Sequence, residues 1–290
     1  MRNPLTKRIP REIKNDLGKY IALFLFLIVS IGFISGFLVA GDSMKSAFDN
    51  SFEKYNVEDG NFELAQKADA DTIKSIEEEN VTLYENFYVE NSTDDFESTL
   101  RIYADRKEVD KVCLLDGDIP AADSEIALDR LYAKNNDLSI GDTISVAGKE
   151  LKIVGIVALS DYSALYQNNT DFMFDSIKFG VGIMTDGGFE SMGDSHLHYN
   201  YSWKYDTPPS DPQGKEAKDM AEDFMTALST KAVLTGFIPR CYSNAINFAG
   251  NDMGGDRTMI LTMMYVLIVI IAFVFAITTS NTITKESNVI

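Results

Sequence analysis

The chain is expected to fold as an α+β domain held between two membrane-crossing helices. Three observations lead there: two uncharged apolar stretches flank the middle of the 290 residues, a basic start gives way to a long acidic segment, and strand and helix patterns alternate inside that segment.

No charged residue falls between Lys19 and Asp42. As a helix rising ~1.5 Å per residue, residues 20–41 would be about 33 Å long, enough for a hydrocarbon core of ~30 Å. They include fourteen Leu, Ile, Phe or Val residues, which at roughly −0.4 kcal/mol each favour insertion by about 6 kcal/mol, less the cost of the glycines and serines. A second uncharged stretch runs from Thr258 to Thr284, and its residues 258–280 are assigned as the second span. Soluble helices rarely stay apolar on every face for so long. Signal-peptide cores are ~7–15 residues, shorter than the first run, so that run reads as an uncleaved anchor.

Residues 1–19 carry six Lys or Arg against Glu12 and Asp16. The positive-inside rule therefore places this basic N-terminus in the cytoplasm, residues 42–257 outside, and residues 281–290 back inside as the start of a cytoplasmic loop. The outer segment holds 19 basic and 41 acidic residues, and the whole chain carries −18. That balance excludes nucleic acid as a partner, because binding phosphates needs a basic surface; membrane lipid is the expected surroundings of the spans.

Gly32, Gly36 and Ala40 fall four apart on the first span and so share a helix face. Small residues at this spacing let another helix approach closely. The partner is either the second span, through Met263, Met264, Ile270 and Phe273, or a helix outside this sequence.

In the outer segment, residues 42–60 and 242–257 read as helical stalks, with Asp42 placed to cap the first and Gly250, Gly254 and Gly255 offering a hinge in the second. Asn61–Leu64 reads as a strand, Asp69–Asn80 as a helix, Val81–Glu90 and Thr99–Ala104 as strands. Leu114–Pro120 reads as a turn, Ser124–Leu128 as a strand, and Asp129 as the cap of a short helix. Leu138–Val146 leads into a strand that the Ala147-Gly148-Lys149 turn returns as Glu150–Val157, a hairpin. Gly180–Asp194 reads as loop or edge strand. Asp211-Pro212 opens an amphipathic helix whose Ala217, Met220, Phe224, Ala227 and Leu228 share a face.

From Leu115 to Tyr162 the order of motifs resembles the extracytoplasmic core of FtsX/MacB-like ABC transporter permeases. The family pattern runs G-x-x-P, E-I-x-L, an alanine-bearing helix, G-D-x-I and a hairpin ending V-G-I. Here Gly117 and Pro120, Glu125 to Leu128, Ala133, Gly141 and Asp142 to Ile144, and Val154-Gly155-Ile156 match it. The resemblance implies a MacB-like periplasmic core in a multi-pass protein of a bacterial cell membrane. It implies a permease subunit, of which this chain is the N-terminal portion. A separate ABC ATPase would bind and hydrolyse ATP, its work reaching the outer domain for export, extraction or signalling. Lys285 and Glu286 would open the loop that touches that ATPase. The resemblance also implies a homodimer or pseudo-dimer of permease halves, and a peptide, lipid or cell-wall cargo that the motifs do not name.

No catalytic, cofactor-binding or metal-ligating set is expected in the chain. It has no phosphate-cradling glycine loop ending in Lys-Ser/Thr. Asp194 with His196 and His198 lacks a third soft ligand and reads as a polar surface loop. Cys113 and Cys241 either pair or stay as thiols. The alternative reading is a membrane-anchored extracellular sensor or binding module without an ATPase.

Overall fold

The computed structural model describes residue 14 and residues 17–287. The basic segment before residue 14 and the end of the chain after 287 lie outside the described residues. The chain divides into two compact units. One carries the helical segments up to Ala47 and from Asp252; the other is Phe48–Asn251.

The helical unit belongs to α1 (Leu17–Lys54) and to the last helix, α6 (Asn244–Ser287). Both are long and apolar enough to cross a membrane. Phe24, Val29, Tyr265 and Val269 are between 63% and 68% exposed, a surface that water would not tolerate but lipid would. The chain is thus a membrane protein. The shielded residues of α1 form one stripe, Leu27, Ser30, Ile34 and Leu38. Gly32, Gly36 and Ala40 are exposed, and a Cβ at either glycine would meet nothing within 4 Å. At ~100° per residue their face is roughly opposite the shielded stripe. Met263, Ile270 and Phe273 are also exposed, and Met264 is half-buried. Asp42 is not a cap. The helix runs through it without a break, and its Oδ1 pairs with Arg257 Nη2 at 3.2 Å. Gly250, Gly254 and Gly255 lie inside α6.

The second unit is one mixed sheet flanked by short helices. Its strands are β1 (Gly60–Leu64), β2 (Val81–Glu85), β3 (Tyr88–Ser92), β4 (Thr99–Ala104), β5 (Cys113–Gly117) and β6 (Glu125–Asp129). They continue with β7 (Thr143–Val146), β8 (Lys149–Ala158), β9 (Phe179–Met184), β10 (Leu197–Tyr205) and β11 (Leu234–Pro239). The helices are α2 (Ala70–Glu77), α3 (Arg130–Asn135), α4 (Asp186–Ser191) and α5 (Lys215–Lys231). The main path is β11-β1-β10-β3-β4-β9-β6-β8-β5, with β2 beside β10 and β7 beside β8.

β10 joins two lobes. Its first residues, Leu197 and His198, pair with β3, while the rest pairs with β1 and β2. Around that second part, under α2 and α5, Phe62, Tyr201, Trp203 and Phe224 make an aromatic core. The lobe from β3 to β5 has a mainly aliphatic core that includes Leu100, Ile126, Leu128, Ile144, Ile153 and Val181. Each core is the buried side of a strand alternation, as in β8, whose inward residues are Leu151, Ile153, Gly155 and Val157.

Several elements differ from the sequence reading. The 81–90 strand breaks at Asn86-Phe87 into β2 and β3, so that it serves both lobes. Residues 113–117 are a strand, not a turn. The glycine-rich stretch after Lys178 is the fully buried strand β9 between β4 and β6. Its glycines make room for neighbours: a Cβ at Gly180 would stand 2.4 Å from the Tyr132 ring. α5 begins four residues after Asp211, at Lys215, yet buries Ala217, Ala221, Phe224 and Leu228 on the expected side. The Ala147-Gly148 turn has φ of 51° and 74°, as a tight hairpin requires. His198 lies on a strand instead of a loop.

Candidate functional site at the roots of the two helices

The sheet unit holds the ends of both long helices, and each end is fastened differently. α1 stops at Lys54, and the chain turns at Asn56 (φ 48°). The segment before β5 clamps that turn. Asp110 N donates to Asn56 O at 3.1 Å, Lys111 N to Tyr55 O at 2.8 Å, and Asn56 Nδ2 to Glu108 O at 2.7 Å. Glu58 N then donates to Asp110 Oδ1 at 2.9 Å and Asp59 N to Trp203 O at 2.8 Å. Lys204 Nζ donates to Val57 O at 2.7 Å, and the Arg240 guanidinium covers the Phe52 ring at 3.9 Å. Tyr55 OH donates to Cys113 Sγ at 2.8 Å; Cys113 and Cys241 are free thiols.

Behind this turn lie three buried acids and one buried base: Glu58, Asp110, Asp161 and Arg106 are 3%, 1%, 6% and 7% exposed. Arg106 Nη1 donates to Asp161 Oδ2 at 2.7 Å and stacks over Tyr103 at 3.7 Å. Burial opposes the Arg106 charge, but Asp161 and Tyr103 more than offset it and raise its pKa. Glu58 Oε2 and Asp110 Oδ2 both lie within hydrogen-bond distance of the Ser202 hydroxyl. Asn86 Nδ2 also donates to that oxygen, at 2.9 Å. The hydroxyl's one proton serves one carboxylate at a time, and Asn86 Nδ2 also donates to Asp110 Oδ2, at 3.1 Å. Burial disfavours two adjacent charges. It pushes Glu58 up to about 6 and, together with the Glu58 charge, holds Asp110 well above the usual carboxylate range.

The root of α6 is held mainly by neutral groups, with Arg240 Nη1 3.8 Å from Asp59 Oδ1 at its start. A short 3₁₀ turn, Arg240–Tyr242, leads in, and Ser243 Oγ accepts from Ile246 N at 3.2 Å as an N-cap. Ser163 Oγ lies 2.6 Å from Ala245 O and accepts from Ala249 N at 3.2 Å. Asn169 grips the first residue, with Asn244 N donating to its Oδ1 at 2.7 Å and Asn244 Nδ2 to its backbone O at 2.6 Å. Asn247 Nδ2 donates to Arg240 O at 2.5 Å and its Oδ1 accepts from Gln213 Nε2 at 2.8 Å. Phe248 packs edge-on against Phe174, ring centroids 5.0 Å apart.

Between the roots lies a cavity of about 200 Å³. Glu58, Asp161, Arg101, Asn200, Ser243 and Ala245 are among its walls. Sequence reasoning missed this site, because its residues come from segments far apart in the chain and none of them forms a motif.

The motif residues lie elsewhere and build the scaffold. Gly117 (φ 74°) and Gly155 face each other across β5 and β8; a Cβ at Gly155 would stand 2.2 Å from Asp118 O. Pro120 is buried beside this crossing. The Glu125 carboxylate accepts from Ala121 N and Ala122 N, which lowers its pKa. Gly141 (φ 98°) donates its N–H to Ile153 O, and Asp142 Oδ2 accepts from Ser139 N. The side chains of Lys285 and Glu286 lie outside the described residues. His198 Nδ1 meets Glu63 Oε1 at 2.9 Å and stacks on Tyr88. Among the described residues no group of three or more His, Cys, Asp or Glu is placed to hold a metal.

No protein-family model and no curated protein matches the chain. Three solved structures are similar in fold. The extracellular domain of the noncanonic ABC-type transporter YknZ from Gram-positive bacteria is 11% identical, with a TM-score of 0.33, covering 61% of this chain and all of that one. The periplasmic region of MacB from Actinobacillus actinomycetemcomitans is 11% identical, with a TM-score of 0.34, covering 60% of this chain and 85% of that one. A domain of a permease protein from Porphyromonas gingivalis is 12% identical, with a TM-score of 0.25, covering 62% and 84%.

Proposed function

We propose that the chain is the N-terminal portion of a permease subunit of a bacterial ABC transporter. In this reading the basic N-terminus and residues 281–290 lie in the cytoplasm, and the domain between the helices lies outside. A separate ATPase binds the cytoplasmic side, with Lys285 and Glu286 at the contact. Its closure moves the helices, and the helices move the domain, which exports, extracts or signals to a peptide, lipid or cell-wall partner. Gly32, Gly36 and Ala40 form the face for a helix beyond those described.

The observation that carries the reading is the double fastening. Each apolar helix runs unbroken into a root that is hydrogen-bonded to the sheet, through Asn56 and Glu58 at one end and Asn244 to Ala249 at the other. A domain tethered only to stay near a membrane gains nothing from two such roots, whereas one that must be displaced needs them. A membrane-anchored sensor would use the same topology without the ATPase.

The test is isolation of the native protein from its own membranes under mild detergent. An ATPase that co-purifies in fixed ratio, and is lost when Lys285 and Glu286 are both reversed in charge, supports the permease. A protein that purifies without any ATPase contradicts it.

A further inference from the structure

We infer that the open lane beside β2 takes an extended basic segment of another protein as an added strand. The inference stands apart from the permease reading, since a sensor could use the same lane.

β2 and β3 run along β10 in one register, with Glu85 opposite Tyr201 and Tyr88 opposite His198. Asn86 N donates to Asn200 O and Asp206 N to Asn80 O, both at 3.0 Å. Hydrogen-bonded pairs alternate along an antiparallel ladder, so Thr82, Tyr84 and Asn86 bond to β10 while the backbone groups of Leu83 and Glu85 point the other way. On that other side β4 pairs only with Tyr88 to Ser92. Past Ala104 its chain leaves the sheet. A groove of about 710 Å³ opens there between residues 83–87 and residues 104–109, with Asp186, Phe189 and Glu190 of α4 also on its walls.

The lane offers the pattern of a missing strand. Leu83 O, Glu85 N and Glu85 O have no hydrogen-bond partner among the described residues, and Leu83 N has only the exposed Glu77 carboxylate, at 3.3 Å. Donors and acceptors recurring every second residue, ~6.8 Å apart, match the repeat of another extended backbone.

Charge selects which backbone. The basic side chains of the walls are already used: Lys67 pairs with Glu85, Lys107 lies between Asp105 and Asp186, and Arg106 is buried against Asp161. The exposed carboxylates of Glu108 and Glu190 pair with no cation among the described residues. Leu83, Phe87 and Phe189, all half-buried, add an apolar lining. A strand that alternates Lys or Arg with apolar side chains meets both kinds of wall. A second copy of this chain fits worse, because pairing β2 with its own image would bring the same acidic side chains together.

The test is fluorescence anisotropy on the full chain in phosphatidylcholine nanodiscs. The probe is a labelled nonapeptide of alternating lysine and valine. It is compared with the same peptide carrying glutamate for lysine, and with the lysine peptide methylated at every backbone nitrogen. The expected result is saturable binding of the lysine peptide, at least about tenfold tighter than either control. Glu85→Pro removes an outward N–H without touching the ladder to β10, and should cost about tenfold more affinity than Glu85→Gln. Should Glu85→Pro fail to fold, the methylated peptide on the unaltered chain keeps the test open. No binding of the lysine peptide, or equal binding of its methylated form, would overturn the inference. So would a dimer of the peptide-free chain, sized by light scattering, that Glu85→Pro dissolves, since the lane would then belong to a second copy.

Discussion

The two roots solve one mechanical problem with different chemistry. At the α1 root, a turn is clamped by backbone hydrogen bonds and backed by Glu58, Asp110, Asp161 and Arg106, all buried. At the α6 root, hydroxyls, side-chain amides and backbone groups do the holding, through Ser163, Asn169, Ser243 and Asn247. The first is strong only while its charges balance, so it responds to pH and to loss of a partner. The second is held mostly by neutral hydrogen bonds, so it loses one at a time and depends less on pH.

The largest effect should follow from unbalancing the first root. Arg106→Met leaves Asp161 buried without its partner and should destabilise the domain by roughly 3–5 kcal/mol, read by thermal unfolding of the full chain in detergent. Asp110→Asn, which mimics a protonated acid, should change stability by less than about 1 kcal/mol. A mild Arg106→Met would mean that the charges are not coupled as described.

Next comes pH. The folded pKa of Glu58, about 6, lies above its ordinary 4.5, so the folded state holds the proton more tightly. Its contribution is whole below about pH 4.5 and is lost as pH rises through 6, a change of order 2 kcal/mol. Asp129, the buried cap of α3, is also pushed up to about 6 by burial and adds a slope of the same sign. Glu58→Gln should therefore flatten part of the fall in stability between pH 5 and 7, and Asp129→Asn another part. At the other root, Ser163→Ala should cost about 1 kcal/mol by removing the hydroxyl's bond to Ala245 O and should leave the pH slope unchanged. A slope that Ser163→Ala alters and Glu58→Gln does not would reverse the comparison.

The smallest effect concerns continuity. Gly254 lies inside α6 with nothing within 4 Å of a Cβ. Gly254→Ala should stabilise by about 0.5–1 kcal/mol if the helix runs through unbroken. Loss of function in a folded Gly254→Ala protein would restore the hinge that the sequence pattern implied.

What could be read from the sequence was whatever repeats at short range. The spans show as uncharged runs, α2 and α3 show through Asp69 and Asp129 as caps, and the β7–β8 hairpin shows in Ala147-Gly148. β9 was hidden because Gly180 has no β preference of its own; it is a strand only because the Tyr132 ring needs the space. Asp42 was misread as a cap because a lone acid after an apolar run looks the same whether the helix starts or continues there. The site was illegible for a deeper reason. Glu58 and Ser202 are 144 positions apart, and Ser163 and Ala245 are 82 apart. No local pattern records which polar residues the fold will bury together.

Amide hydrogen exchange on the full chain in a bilayer tests most directly whether both roots hold the domain to its helices. Residues 57–59 and 245–249 should exchange as slowly as β4 and β9 in the sheet interior. Exchange at either root as fast as in an unstructured loop would mean that a displaced helix leaves the domain where it was.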